Sequence, residues 1–205
     1  MQEQSKIPAL IFVNLITLSR IPLIIIFIYH LINYLSTGSS ADNLKAVIIS
    51  CCIIFSDFID GKLARRYGVT TKAGQVFDIY LDFIYIMAGV VILAVYGQID
   101  YYFVAVIIYK FLEFIIISKL LKGRFNCKKG TDYFFDMLGT IVSGTYYAVP
   151  AAVISLTCLD VPFKEVIIKV SLMVITLLTI IASIEKIKNS CLTKEHCCVV
   201  EKEAV

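Results

Sequence analysis

Four aspartates at helical spacing are the residues of this chain best suited to chemistry. Asp57 and Asp60 are three positions apart, and Asp78 and Asp82 are four apart. Residues at these spacings lie on one face of a helix. Four ionised carboxylates that face one another repel, and divalent cations relieve that repulsion. Because every donor atom is an oxygen, Mg²⁺, Mn²⁺ or Ca²⁺ is expected rather than Zn²⁺. Two such ions held close together can stabilise the attacking and leaving oxygens of a phosphoryl transfer.

Small and basic residues between the two aspartate pairs suit a phosphate ligand. Gly61 and Ala64 have almost no side chain, so a ligand can come close to the helix backbone. Arg65 offers a planar guanidinium that can bind phosphate oxygens through two nitrogens. Gly74 begins the following helix without bulk.

A simpler interpretation is that these charges flank membrane helices without any function. It accounts well for Lys62, Arg66 and Lys72. It does not account for Asp78 and Asp82, which lie one and two turns inside an apolar segment. Ionisable groups in such a place are costly and usually mark a functional site.

The elements that position these residues are predicted to be membrane-spanning helices. Hydrophobic residues make up 59% of the 205 residues and charged residues 17%, a composition that is rare in soluble domains. A helix needs about 20 mostly apolar residues to cross a bilayer. We therefore predict an all-α integral membrane protein with six transmembrane helices, a catalytic domain over residues 1–188 and a cytoplasmic tail over 189–205. The predicted spans are 8–33, 44–60, 75–97, 101–119, 133–157 and 164–184.

Basic residues predict the orientation of these helices. Lysines and arginines gather after the second, fourth and sixth spans and are sparse in the opposite loops, and basic loops face the cytoplasm. Both termini and the aspartates are therefore expected on the cytoplasmic side of the plasma membrane. The same asymmetry accounts for the net charge of +3, which gives no separate reason to expect nucleic-acid binding.

Residues 57–82 resemble the signature of the CDP-alcohol phosphotransferases. That signature reads Asp-x2-Asp-Gly-x2-Ala-Arg-x8-Gly-x3-Asp-x3-Asp, and every defined position is present. Asn14, Thr17 and Arg20 are similar to the same family's N-terminal Pro-Asn-x2-Thr-x2-Arg segment, although no proline directly precedes Asn14.

The resemblance implies a role for each matching position. The four aspartates would hold two divalent cations, Mg²⁺ or Mn²⁺, and Asp82 would also be the general base. An acceptor hydroxyl deprotonated by Asp82 would attack the phosphorus joined to the lipid, and CMP would leave. Members of the family are typically homodimers, so a second copy and membrane lipids are expected partners. The residues implied to bind the CDP moiety are Asp57, Gly61, Ala64, Arg65, Gly74 and Asp78.

The resemblance leaves the acceptor alcohol open. Similar enzymes that use CDP-choline or CDP-ethanolamine are much longer, which favours CDP-diacylglycerol as the donor and a small polar acceptor. Asp78 and Asp82 are not followed by the Pro and Lys common in enzymes specific for glycerol-3-phosphate. That compound, an inositol compound, serine or another small alcohol all remain candidates. Lys110 either only neutralises Glu113, one turn away, or binds the acceptor, and Arg124 is a second candidate for that contact.

A cation transporter that uses the same four aspartates is the alternative function. A transporter needs polar groups at the bilayer midplane and a path to the outer face. The outer halves of the second and third spans are almost wholly apolar. A non-catalytic assembly protein would have no use for Gly61, Ala64 and Arg65 at these spacings. Phosphatidyl transfer is therefore the leading hypothesis.

Overall fold

The computed structural model describes the backbone of residues 6–67, 72–124, 137–158 and 162–203. Within these ranges the chain forms α-helices and no strands, so the prediction of an all-α fold with six helices is confirmed. Side chains are described within 15–59, 61–63, 66–67, 74, 76–116, 142–158 and 162–186. The helices are α1 (Lys6–Thr37), α2 (Ser40–Tyr67), α3 (Lys72–Val95), α4 (Tyr101–Arg124), α5 (Met137–Cys158) and α6 (Lys164–Glu203).

Within the described side chains, three of these helices are long and apolar enough to cross a membrane. The qualifying segments are Leu15–Thr37, Val76–Val95 and Lys164–Lys186, and a shorter apolar helix covers Val142–Cys158. Many large apolar side chains on the outer surface are exposed, as along α6 from Val166 to Ile184. The spans 44–60 and 101–119, and the orientation of the termini, stay predictions.

Several helices extend beyond the apolar stretches that predict them, although α3 ends at Val95, two residues before the end of its predicted span. The α-helical backbone continues where side chains turn polar, because its hydrogen bonds are internal to the helix. α6 therefore runs on to Glu203, through most of the segment predicted as a tail. α1 ends at Thr37, where Gly38 adopts a positive φ of 72° and its amide donates to the Tyr34 carbonyl at 2.8 Å. Glycine adopts this left-handed conformation without strain and commonly ends helices.

α3 and α5 each pack against three other helices. α5 packs against α2, α3 and α6, while α1 packs against α2 and α3, and α4 against α3 and α6. Phe27, Tyr85, Phe103 and Ile154 are among the fully buried side chains of the core. Hydrogen bonds between helices add to this packing: the Ser50 and Tyr85 hydroxyls join α2 to α3, and those of Tyr146 and Thr179 join α5 to α6. Asn43 Nδ2 donates to the Ile154 carbonyl at 3.0 Å.

α3 and α5 approach each other closely where Gly89 faces Pro150. A Cβ built on Gly89 would lie 2.9 Å from both Cβ and Cγ of Pro150. Carbon atoms of packed side chains need about 3.5–4.0 Å, so only glycine fits here without movement. Small residues let membrane helices approach closely in this way.

We expect Gly89→Ala to destabilise the bundle by about 1–3 kcal/mol, as overpacking of a dense core does. The pyrrolidine ring of Pro150 is stiff, so α3 and α5 must separate slightly to admit the methyl group. Thermal unfolding in detergent, followed by circular dichroism, measures the change. Gly144→Ala is the matched control, because a Cβ at Gly144 meets nothing within 4 Å. Equal melting temperatures for the two variants would contradict the prediction.

Candidate functional site

A buried arginine on α1 gathers three of the predicted aspartates. The side chain of Arg20 is 1% exposed. Its Nη1 atom lies 3.0 Å from Oδ1 of Asp57 and 3.0 Å from Oδ1 of Asp82. Its Nη2 atom lies 3.8 Å from Oδ1 of Asp78. The predicted convergence of the acids is therefore observed for these three.

The local sequence explains why these side chains meet. Asp57 lies in the second half of α2 and Asp78 in the first third of α3, so a reversal of the chain between the two helices brings them to one end of the bundle. Asp82 is one turn after Asp78 and thus on the same face of α3. The side chain of Asp60 lies outside the described residues.

The arginine lies behind the carboxylates, away from solvent. The side chains of Asp57, Asp78 and Asp82 are 40%, 35% and 29% exposed, whereas that of Arg20 is almost fully covered. One side of the acidic cluster is therefore open to a ligand. The other side contacts a fixed positive charge.

Asp82 is also held by a tyrosine on α5. The Tyr147 hydroxyl donates to Oδ1 of Asp82 at 3.1 Å, and the Tyr147 ring packs against Tyr85 with 5.0 Å between the ring centroids. The Arg20 hydrogen bond also ends on Oδ1. Both hydrogen bonds described for Asp82 thus end on the same oxygen, Oδ1, and neither occupies Oδ2.

The chemistry of this donor set fits hard divalent cations. It consists of carboxylate oxygens, which suit Mg²⁺ and Mn²⁺, and the three acids exceed the single guanidinium by two negative charges. Among the described side chains, no group of three acids, histidines or cysteines is spaced to enclose a metal ion as the side chains stand. Arg20 contacts all three acids in this arrangement.

The other residues predicted to bind the CDP moiety are described only in part. Gly61 lies in α2 and Gly74 in α3, on the two sides of residues 68–71. Ala64 and Arg65 also lie in α2, but their side chains are outside the described part of the chain.

A second polar cluster lies between α4 and α6 at the same end of the bundle. Lys110 Nζ is 3.0 Å from Oε2 of Glu113, so the predicted pair forms. Ser183 on α6 joins it: its hydroxyl donates to Oε2 of Glu113 at 2.6 Å and accepts from Lys110 Nζ at 3.0 Å. Lys186, buried nearby, has its Nζ 5.3 Å from the centroid of the Phe114 ring. The side chain of Arg124, the last residue of α4, lies outside the described residues.

The sequence model of one protein family, CDP-alcohol phosphatidyltransferase, matches residues 10–187. The chain belongs to this family. Its members are phosphotransferases, so the chain is an enzyme. A comparison with curated proteins found no relative that matches it.

Two residues of this candidate site, Arg20 and Tyr147, were not assigned a role from the sequence. Arg20 offered a signal, since it is an ionisable residue inside a long apolar stretch, where such residues are usually functional. Tyr147 offered none, because nothing in its neighbourhood distinguishes it from Tyr146, which bonds to Thr179 on α6 instead.

We expect Tyr147→Phe to slow CMP release about tenfold while leaving the fold intact. A hydrogen bond to a charged group contributes about 1.5–3 kcal/mol, and each 1.36 kcal/mol in a barrier is a factor of ten in rate. Initial rates of CMP release measure the effect. Tyr146→Phe is the control, because it removes a buried hydroxyl from the same helix without touching Asp82. Equal losses of rate in both variants would argue against a specific role for Tyr147.

We expect Ser183→Ala to lower the free energy of unfolding by about 1–3 kcal/mol, because it removes hydrogen bonds to two charged partners, the buried Glu113 and the partly buried Lys110. Ser155→Ala is the matched control, since the Ser155 hydroxyl donates only to the Ala151 carbonyl of its own helix. Thermal unfolding in detergent gives both values. A Ser183→Ala melting temperature no lower than that of Ser155→Ala would contradict the prediction.

Proposed function

We propose that this enzyme transfers a phosphatidyl group from CDP-diacylglycerol to the hydroxyl of a small polar alcohol and releases CMP. One observation carries the proposal: Asp57, Asp78 and Asp82 converge on one open face of a bundle whose sequence matches the family over residues 10–187. In the reaction, a bond forms between the acceptor oxygen and the phosphorus joined to the lipid. The bond from that phosphorus to the oxygen of CMP breaks, and the acceptor hydroxyl loses its proton.

The donor is bound at the aspartates and at the adjoining part of α2. Asp57, Asp60, Asp78 and Asp82 would hold two divalent cations, Mg²⁺ or Mn²⁺. When bound, such ions neutralise diphosphate charge and stabilise the leaving CMP. Asp57 and Asp78 also contact the CDP moiety, together with Gly61, Ala64, Arg65 and Gly74. Gly61 and Ala64 leave room for the ligand at the helix surface, and Arg65 binds phosphate oxygens through its guanidinium.

Asp82 is the general base. Its Oδ1 accepts hydrogen bonds from Arg20 and Tyr147, so these two residues fix the orientation of the carboxylate. Oδ2 then receives the proton from the acceptor hydroxyl. A base held from one side in this way needs little reorganisation when the proton moves, which favours catalysis.

The acceptor binds near α4, with Lys110 and Arg124 as the candidate contacts. Glycerol-3-phosphate, an inositol compound and serine each carry a hydroxyl and at least one further polar group for such contacts. Lys110 already pairs with Glu113 and Ser183, so an acceptor would join an existing network rather than meet a lone lysine.

The chain acts in the plasma membrane with its active site facing the cytoplasm. Three apolar helices of spanning length and the basic residues at the aspartate end support this placement. The exposed apolar faces of the helices suit lipid contacts and a homodimer. No observation supports the alternative of a cation transporter, and membership of the transferase family favours the enzyme.

The direct test is CMP release from CDP-diacylglycerol by the purified protein in detergent micelles or liposomes, measured across a panel of acceptors. We expect release with one acceptor in Mg²⁺ or Mn²⁺ and none after chelation with EDTA, because the negative charges of the donor and the aspartates need cations beside them. The identity of the phospholipid product, from mass spectrometry, names the acceptor. No release with any acceptor, together with cation flux in liposomes, would refute the proposal.

Asp82→Asn is expected to abolish turnover while binding of CDP-diacylglycerol survives. An amide cannot take the proton from the acceptor hydroxyl, but it preserves the size of the side chain. Asp100→Asn is the control, since Asp100 is an exposed acid at the opposite end of the bundle, before α4. A wild-type rate in Asp82→Asn would remove Asp82 from its role as base.

A further inference from the structure

The charge balance at the aspartates depends on a residue of α1 that the family signature at 57–82 does not include. Arg20 lies within ion-pair distance of three carboxylates, and its own side chain is 1% exposed. A guanidinium stays protonated in proteins, so this charge cannot be removed by titration. A charge buried without partners is strongly destabilising, so these ion pairs stabilise Arg20 in its buried position.

Divalent cations at the same carboxylates would change this balance. A cation and the guanidinium of Arg20 both bind the oxygens of the same carboxylates. The two positive charges would also lie a few ångström apart and repel each other strongly where water is scarce. Each cation at Asp57 or Asp82 thus weakens the ion pairs of Arg20. Each of those ion pairs, in turn, weakens the hold of the carboxylate on a cation.

We propose that Arg20 is a resident counter-cation that competes with divalent cations for Asp57, Asp78 and Asp82. The inference rests on the proposed function, since it takes the aspartates as the cation site. Before cations bind, Arg20 neutralises part of the acidic cluster and keeps α1 joined to α2 and α3. When cations bind, they take over that neutralisation. Binding of the cations and the ion pairs of Arg20 are therefore negatively coupled, and by linkage each weakens the other equally.

Mn²⁺ binding tests the coupling without any turnover. The electron paramagnetic resonance signal of free Mn²⁺ falls as the ion binds, so a titration of the purified protein gives its affinity. We expect Arg20→Gln to bind Mn²⁺ at least about fivefold more tightly than the wild type, which is the lower end of typical coupling between sites. Arg20→Lys, which keeps the charge but lacks a fork that can contact several carboxylates, should lie between the two.

Lys62→Gln is the matched control for charge alone. Lys62 is an exposed base five residues after Asp57, and its Nζ lies over the Phe58 ring at 5.8 Å. We expect Mn²⁺ affinity in this variant to stay within about twofold of the wild type, because solvent and salt screen the charge of an exposed lysine. Equal tightening in Lys62→Gln and Arg20→Gln would overturn the inference, since it would reduce the effect to net charge.

Thermal stability gives a second test, because Mg²⁺ would not compensate for the loss of an arginine whose role is purely structural. Arg20→Gln should lower the melting temperature in EDTA, and saturating Mg²⁺ should recover most of that loss. A loss of the same size with and without Mg²⁺ would overturn the inference. The inference would also be overturned if Arg20→Gln bound Mn²⁺ with the same affinity as the wild type or more weakly. If Arg20→Gln does not fold, Arg20→Lys replaces it in the test. A Mn²⁺ affinity of Arg20→Lys equal to that of the wild type would then overturn the inference.

The proposed function and this inference fail in different ways. Asp57→Asn should greatly weaken Mn²⁺ binding, which locates the ion at the aspartates. Wild-type protein that binds no Mn²⁺ would refute the metal site, and with it the inference. Wild-type protein that binds Mn²⁺ and releases CMP, with no tightening in Arg20→Gln, would refute the inference alone.

Discussion

The ion pairs of Arg20 are the interaction on which this end of the bundle depends. A permanent charge in the middle of an apolar helix must find opposite charge close by, because neither lipid nor the protein core solvates it. Asp57 on α2 and Asp82 on α3 supply that charge at 3.0 Å. Because Arg20 must contact both acids, α1 is rotated so that Arg20 faces α2 and α3. These contacts fix the positions of Asp57 and Asp82. The same contacts keep together carboxylates that would otherwise repel one another.

α5 connects this constraint to the rest of the molecule. Successive residues of a helix point about 100° apart, so Tyr146 and Tyr147 face different neighbours. Tyr147 donates to Asp82 on α3, and Tyr146 bonds to Thr179 on α6. About one turn further on, Pro150 meets Gly89 in a close contact with α3. That contact sets the distance between the helices at which the Tyr147 hydroxyl can reach the carboxylate.

Helical spacing and hydropathy predicted the all-α fold, the convergence of three aspartates and the pairing of Lys110 with Glu113, since these follow from local geometry and the reversal of the chain. Contacts between residues distant in the sequence depend on long-range packing, which these local patterns do not predict. Ser183 is 70 residues from Glu113 along the chain, and no pattern near Ser183 indicates that its hydroxyl faces α4. The extension of α6 to Glu203 was also missed, because an apolar stretch marks where a helix is buried in lipid and not where its hydrogen bonds end.

The two ends of the bundle differ in how fully their polar groups are paired. At the end away from the aspartates, His30 Nδ1 and Asp42 Oδ1 lie 2.8 Å apart, and Tyr34 donates to Thr157 at 3.1 Å. The hydrogen bond from His30 holds the pKa of Asp42 below its usual value, as expected for a carboxylate stabilised by its partner. At the aspartate end, the contacts described for Asp82 leave Oδ2 uncommitted, and the buried Oε1 of Glu113 accepts no hydrogen bond from a described residue. Buried acceptors are normally satisfied. Among the described side chains, the buried acceptors without a hydrogen bond belong to acids at this end of the bundle. A ligand's cations and hydroxyl protons therefore gain most by binding there.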